Sequence, residues 1–170
     1  FASVSEDFSL ANSKRSLHFD QEFGNLETEL ISKIQLNQTQ DLLVLPSGKV
    51  YGGPHTYLIK NKRKDSHHII QDAAVKDLPY YSREQAINVQ LEGPSIRIGT
   101  EHYKATQVQR KSGGGTYGIE RRIGYRALRE AGIKKEEARI LVEEADKYFN
   151  NIGITKETQT RLPGNRNKTE

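Results

Sequence analysis

Lys64-Asp65-Ser66-His67-His68-Ile69-Ile70 is the stretch on which the reading of this chain turns. Two adjacent imidazoles stand between a basic run (Lys60, Lys62, Arg63, Lys64) and an apolar pair that reads as strand. Downstream, Ala86-Ile87-Asn88-Val89-Gln90-Leu91 reads as a second strand with an amide near its centre. A third histidine, His102, opens a helical segment from Thr100 to Gln109. Thr100 is placed to cap that helix, and Glu101 suits its first turn.

This order of residues carries the parts that phosphodiester hydrolysis needs: a base for water, a cation to offset developing charge, and positive groups to hold the backbone. Neutral imidazole, with an ordinary pKa of about 6.5, serves equally as base or as ligand to a divalent metal. Adjacent imidazoles on a strand can diverge, one towards metal and one towards water. His102, brought in by a helix packed on the two strands, can complete the metal site. The Asn88 amide can hold a loop carbonyl or the base imidazole. Asp65 can ligate metal, orient His67, or pair with Lys64 or Arg63. Phosphate contacts come chiefly from Lys and Arg, and the candidates here are Arg63, Lys64, Arg110, Arg121, Arg122 and Arg126.

Composition narrows the alternatives. A length of 170 residues fits one domain with an appendage, and a 34% hydrophobic content supports only a modest core. Lys and Arg exceed Asp and Glu by 26 to 22, a net charge of +4 that is compatible with an anionic partner without demanding one. The absence of Cys excludes disulfides, thiolate zinc sites and a cysteine nucleophile. It also removes the Cys-x-x-Cys half of a nucleobase deaminase signature. With Phe1 first and no Met, the expectation is a piece of a longer polypeptide. No apolar run approaches the roughly 20 residues that span a bilayer.

Taken in order, residues 1–45 read as an arm or junction, with a short amphipathic helix over Asn25 to Gln38 and His18 at the surface. Asp41 to Leu45 is a strand, Pro46 to Lys49 a turn, and Val50-Tyr51 pairs back before the breaker Gly52-Gly53-Pro54. His55, beside that breaker, reads as structural. Gln71 to Ser82 reads as loop. Lys111 to Thr116 is a flexible connection, and Tyr117 to Glu130 a helix whose arginines lie largely away from its apolar face. Ala131-Gly132 stops it, and Lys134 to Asn150 forms a second helix with Glu136, Glu137, Glu143 and Glu144 on a solvated face. Residues 156–170 are a polar tail. The expected domain is 46–155, with its core at about 65–110 and a helical extension at 116–150.

At Asp65-Ser66-His67-His68-Ile69-Ile70, Ala86-Ile87-Asn88-Val89-Gln90-Leu91 and Glu101-His102-Tyr103 the chain resembles the HNH and endonuclease VII-like nucleases of the His-metal finger superfamily. More narrowly it is similar to the nuclease domains at the C-termini of polymorphic bacterial toxins. Gly114-Gly115-Thr116-Tyr117-Gly118 with Arg121-Arg122 looks like a recurrent extension of such toxins. The resemblance implies an α+β fold with a ββα-metal core and additional C-terminal helices. It implies that His67 and His102 ligate a metal, that His68 is the general base and that Asn88 orients the site. It implies Mg²⁺ as the ion, with Zn²⁺, Mn²⁺ or Ni²⁺ also acceptable to imidazole. It further implies secretion by a bacterium as the tip of a larger toxin, action on DNA in a target cell's cytoplasm, and an acidic cognate immunity protein. The zinc-ribbon cysteines of some HNH members are missing. Two other readings stand beside a DNase: an RNase of the same fold, and a non-catalytic nucleic-acid-binding module with a structural His pair.

Overall fold

The computed structural model describes residues 42–111 and 114–162, all within the unit Thr39–Glu170. The expected helix at Asn25 to Gln38, the arm around His18 and the end of the tail lie outside the described residues. The fold is α+β, and the described residues form four short antiparallel strands and five helices in the order β1 (Leu43–Val44), β2 (Tyr51–Pro54), α1 (His55–Lys60), β3 (Ser66–His68), α2 (Asp72–Val75), β4 (Ile87–Gln90), α3 (Glu101–Lys111), α4 (Tyr117–Glu130) and α5 (Lys135–Asn151).

The sheet order is β1-β2-β4-β3, so β4 lies between the first hairpin and the histidine strand. The turn after Leu45 closes β1 on β2, with Leu45 N–H donating to Val50 O at 2.9 Å. The expected breaker Gly52-Gly53-Pro54 is instead part of β2, paired with Val89, Asn88 and Ile87 of β4. Pro54 stands at the strand's last position, where the missing N–H costs little, and α1 starts at once after it. Burial of Leu58 fixes α1, which local periodicity over Tyr57-Leu58-Ile59 was too short to reveal. The strand of the paired histidines covers Ser66 to His68 itself. Ile69, whose N–H still donates to Ile87 O at 3.3 Å, and Ile70 follow it as buried core residues, which explains their apolar character. The stretch expected as loop carries one helical turn, α2, tied down where Tyr81 donates to Asp72 at 2.9 Å.

α4 and α5 supply most of the large core side chains. Tyr117 and Leu128 from α4 join Leu141, Tyr148 and Phe149 from α5 in one core cluster, all essentially buried. The α4 stop is as expected: Gly132 takes φ +97°, a conformation that other residues avoid, and Ile133 N–H closes on Leu128 O at 3.0 Å. Gly124 serves a different purpose. A Cβ there would sit 2.4 Å from Ile69 O, so its bare backbone lets α4 approach the chain just beyond the histidine strand. The acidic face of α5 needs one correction. Glu137 is buried, and its carboxylate accepts from Ser47 N–H at 2.8 Å, tying α5 to the β1–β2 turn. Among the described residues no helix is long and apolar enough to cross a membrane.

Candidate functional site

β3 and β4 pair with Ser66 opposite Gln90, His67 opposite Val89 and His68 opposite Asn88. Side chains alternate along a strand, and directly opposed residues share a face. Ser66, His68 and Asn88 therefore point to one side of the sheet and His67 to the other. The two adjacent histidines diverge because the strand's period of two forces them to.

On its own face His67 is 4% exposed and meets His102 edge-on, with ring centroids 5.2 Å apart. His102 comes from the first turn of α3, which starts where Thr100 Oγ1 accepts from Tyr103 N–H at 3.1 Å. Further along α3, the Gln109 amide donates to the carbonyls of His68 (3.0 Å) and Ile69 (3.3 Å). His102, Ala105 and Gln109 share one helical stripe, so the bonds at the end of β3 also seat His102 against His67. Burial above all, reinforced by the neighbouring His102 and His68, lowers the His67 pKa to about 3. Burial also lowers that of His102, opposed by a hydrogen bond with the Gly93 backbone and by the charge of Asp65. Both rings are thus held neutral, the form in which imidazole binds metal.

On the opposite face, Asn88 is wholly buried and makes three polar contacts. Its Oδ1 lies in a very short hydrogen bond with His68 Nδ1. Its Nδ2 donates to Ser66 Oγ at 2.8 Å and to His55 Nδ1 at 3.2 Å. Ser66 Oγ and His55 Nδ1 are themselves 3.0 Å apart, and the His55 ring meets that of His68 edge-on at 5.3 Å. An amide oxygen only accepts, so His68 Nδ1 carries the proton and Nε2 the lone pair. Burial lowers the His68 pKa to about 4, against an opposing pull from Asp72, so Nε2 stays unprotonated at neutral pH.

Three of these ring nitrogens, His67 Nε2, His68 Nε2 and His102 Nδ1, are buried and lack a hydrogen-bond partner. Leaving a buried polar atom unsatisfied costs about 1–3 kcal/mol, so three in one neighbourhood mark a place built to hold something. The donor set of His67 and His102, neutral nitrogens on neighbouring rings, suits a divalent cation. Among the described residues no group of three or more His, Cys, Asp or Glu side chains gathers at metal-binding spacing. Two imidazoles would leave the remaining coordination positions to water and substrate.

The basic candidates are spread more widely. The Arg63 guanidinium lies 3.6 Å above the Tyr51 ring, half-buried and stacked. Lys64 and Arg110 are exposed, at the entrance to β3 and in the last turn of α3. Arg121 binds Asp146 at 2.6 Å, and Asp146 also accepts from Tyr117 Oη at 2.8 Å, so this arginine ties α4 to α5. Arg122 and Arg126 are exposed and line an open groove of about 550 Å³ along α4 with Tyr125 and Arg129.

Sequence reading assigned no role to Ser66 and took His55 as structural; both touch Asn88. The signal for Ser66 was its two-residue spacing from His68, which puts both on one strand face. His55 had no local signal, because its approach depends on β2 running into α1 beside β4.

Residues 61–150 match the sequence model of Tox-SHH, described as an HNH/Endo VII superfamily toxin with a SHH signature. Ser66-His67-His68 is the only Ser-His-His in the chain and lies within that span. No curated protein and no solved structure matches the chain. The match runs from just ahead of the histidine strand to the last turn of α5, over more than half of the sequence, and the chain belongs to this family of HNH-type nuclease toxins.

Proposed function

We propose that this protein is a metal-dependent endonuclease with DNA as its substrate, in which β3, β4 and α3 form a ββα-metal core within residues 46–155. The observation that carries the reading is the set of three unpartnered ring nitrogens on β3 and α3, two on rings whose centroids are 5.2 Å apart and one on the far side of the strand. His67 and His102 would hold the ion, with Mg²⁺ the expected occupant. A bound divalent cation supplies positive charge against the phosphate oxygens and the leaving oxygen.

The protein's own groups do the rest. His68 Nε2 takes a proton from water, and the resulting hydroxide attacks phosphorus in line as the bond to the leaving oxygen breaks. Asn88 keeps the receiving nitrogen free by accepting the proton of Nδ1. Arg63, Lys64, Arg110, Arg122 and Arg126 hold the flanking phosphates, with Arg121 adding charge from its place against Asp146. The toxin family supports delivery by a bacterium as part of a larger secreted protein, action in the target cell's cytoplasm, and neutralisation by an acidic immunity protein.

The test is digestion of plasmid DNA and of transfer RNA side by side, in Mg²⁺ and in EDTA, by wild type and His68→Ala. The proposal expects DNA cleavage that EDTA and the substitution each abolish. Cleavage of RNA alone would move the substrate to RNA. Salt-sensitive binding with no cleavage of either would leave a binding module.

A further inference from the structure

We infer that Ser66 and His55 are positioning residues: together they hold the Asn88 amide in the orientation that keeps a proton off His68 Nε2. The inference rests on the proposed role of His68 as base, and extends it to two residues that contact the Asn88 amide.

The hydrogen-bond partners around the buried Asn88 amide decide which way it points. Asn88 can be turned end for end with almost no change in shape. In the observed orientation its oxygen faces His68 Nδ1, while its nitrogen faces Ser66 Oγ at 2.8 Å and His55 Nδ1 at 3.2 Å. In the reversed orientation the amide nitrogen would donate to His68 Nδ1. The His68 proton would then move to Nε2, and the base would be blocked. Nothing about His68 and Asn88 alone selects between these states, since each makes one good bond.

The selection comes from the other end of the amide. With an unprotonated Nδ1, His55 can only accept there. Ser66 can donate its one hydroxyl proton to that nitrogen at 3.0 Å, and its oxygen is then left to accept from Asn88. In that tautomer the single Nδ1 lone pair is shared between the Ser66 hydroxyl and Asn88 Nδ2, Ser66 Oγ keeps lone pairs for the amide, and the –NH₂ end of Asn88 faces both. Burial of His55 and the nearby Arg83 both disfavour a charged ring, with Glu84 opposing. Asn88 is 0% exposed, so no solvent offsets a mismatched orientation. The same geometry gives the serine that precedes the two histidines a reason to be there: two residues before the base, on the same strand face, opposite the amide's nitrogen.

The experiment uses the full chain in Mg²⁺. The variants are His55→Ala, His55→Asn, whose Oδ1 restores an acceptor where Nδ1 was, and Ser66→Ala. Turnover on plasmid DNA gives kcat and KM, and the ¹⁵N shifts of the His68 ring, assigned against His68→Gln, report which nitrogen carries the proton. Expected is a His68 ring protonated at Nδ1 in wild type. His55→Ala should mix the two tautomers and lower kcat by about 10–100-fold with KM unchanged, Ser66→Ala should move both readouts in the same sense, and His55→Asn should recover them. A His55→Ala protein with the wild-type tautomer and kcat would overturn the inference. So would a folded His55→Asn protein as impaired as His55→Ala. The tautomer readout needs no turnover, so the positioning role can stand even if the chain cleaves nothing and the nuclease reading falls.

Discussion

The two faces of the sheet at His67 with His102 and at His68, and the helical pair α4–α5, are built on opposite principles. Between the helices, Tyr117, Leu128, Leu141 and Phe149 belong to one buried cluster, and Tyr117 Oη and Arg121 meet the two oxygens of Asp146. At the sheet, three buried ring nitrogens are left without partners, within a few residues of backbone at φ +60° in Asp65. Groups arranged this way lower the stability of the chain that holds them. The difference teaches where stability comes from and where it is given up: the helices hold the fold together so that the short strands can present unsatisfied nitrogens. Gly124 joins the two regions by a close approach of α4 to Ile69, while Gln109 of α3 bonds the carbonyls of His68 and Ile69.

That contrast can be broken at either end. The largest effect is expected at the sheet. His68→Ala should lower kcat by about 10²–10⁴-fold and lower thermal stability modestly, because the buried Asn88 Oδ1 loses its donor even as an unpartnered nitrogen disappears with the ring. Steady-state cleavage and a melting curve on the same preparation check both halves. Phe149→Ala is the converse. It removes a ring packed against Tyr117, Tyr81 and Tyr148 and should cost about 3–5 kcal/mol of unfolding free energy. Chemical denaturation measures that cost, and activity per folded molecule should stay near wild type.

Gly124→Ala tests the joint between the regions. The new methyl would meet Ile69 O at 2.4 Å, so α4 must move away from the chain that follows His68. A loss of about 1–3 kcal/mol together with reduced kcat would show that helix packing sets the position of the base; stability lost with kcat intact would separate the two.

The acid side offers a subtler probe. His67 and His68 have folded pKa values lowered to about 3 and about 4, below the unfolded value of about 6.5. Between those limits the unfolded chain binds protons that the folded chain does not. Their contribution to stability is therefore complete above about pH 6.5 and lost as pH falls, by up to about 1.4 kcal/mol per pH unit for each histidine. Melting in EDTA between pH 4 and 7 should show this slope, and His67→Gln should flatten it. The smallest effect belongs to the exposed arginines. Arg122→Ala and Arg126→Ala should each reduce the salt dependence of DNA binding by about one unit of log–log slope, seen in titrations at several ionic strengths.

How much of this was legible in the sequence follows the same division. α4 matches its expected span at both ends, and α5 is displaced by one residue, because a sustained apolar stripe with a glycine stop is local information. The divergence of His67 and His68 also followed from strand period alone. What could not be read was every relation that depends on a distant partner: the burial of Glu137 under Ser47, the ion pair of Arg121, and the approach of His55 to Asn88 across 33 positions. α1 escaped notice because one buried leucine on six residues makes no period.

Calorimetric titration of Mn²⁺ into wild type, His67→Ala, His102→Ala and His68→Ala, paired with plasmid cleavage by each, tests the division of labour most directly. The account predicts that the first two substitutions abolish both ion binding and cleavage, whereas His68→Ala binds the ion as wild type does and cleaves nothing. Undiminished ion binding by His67→Ala, or cleavage at the wild-type rate by His68→Ala, would contradict it.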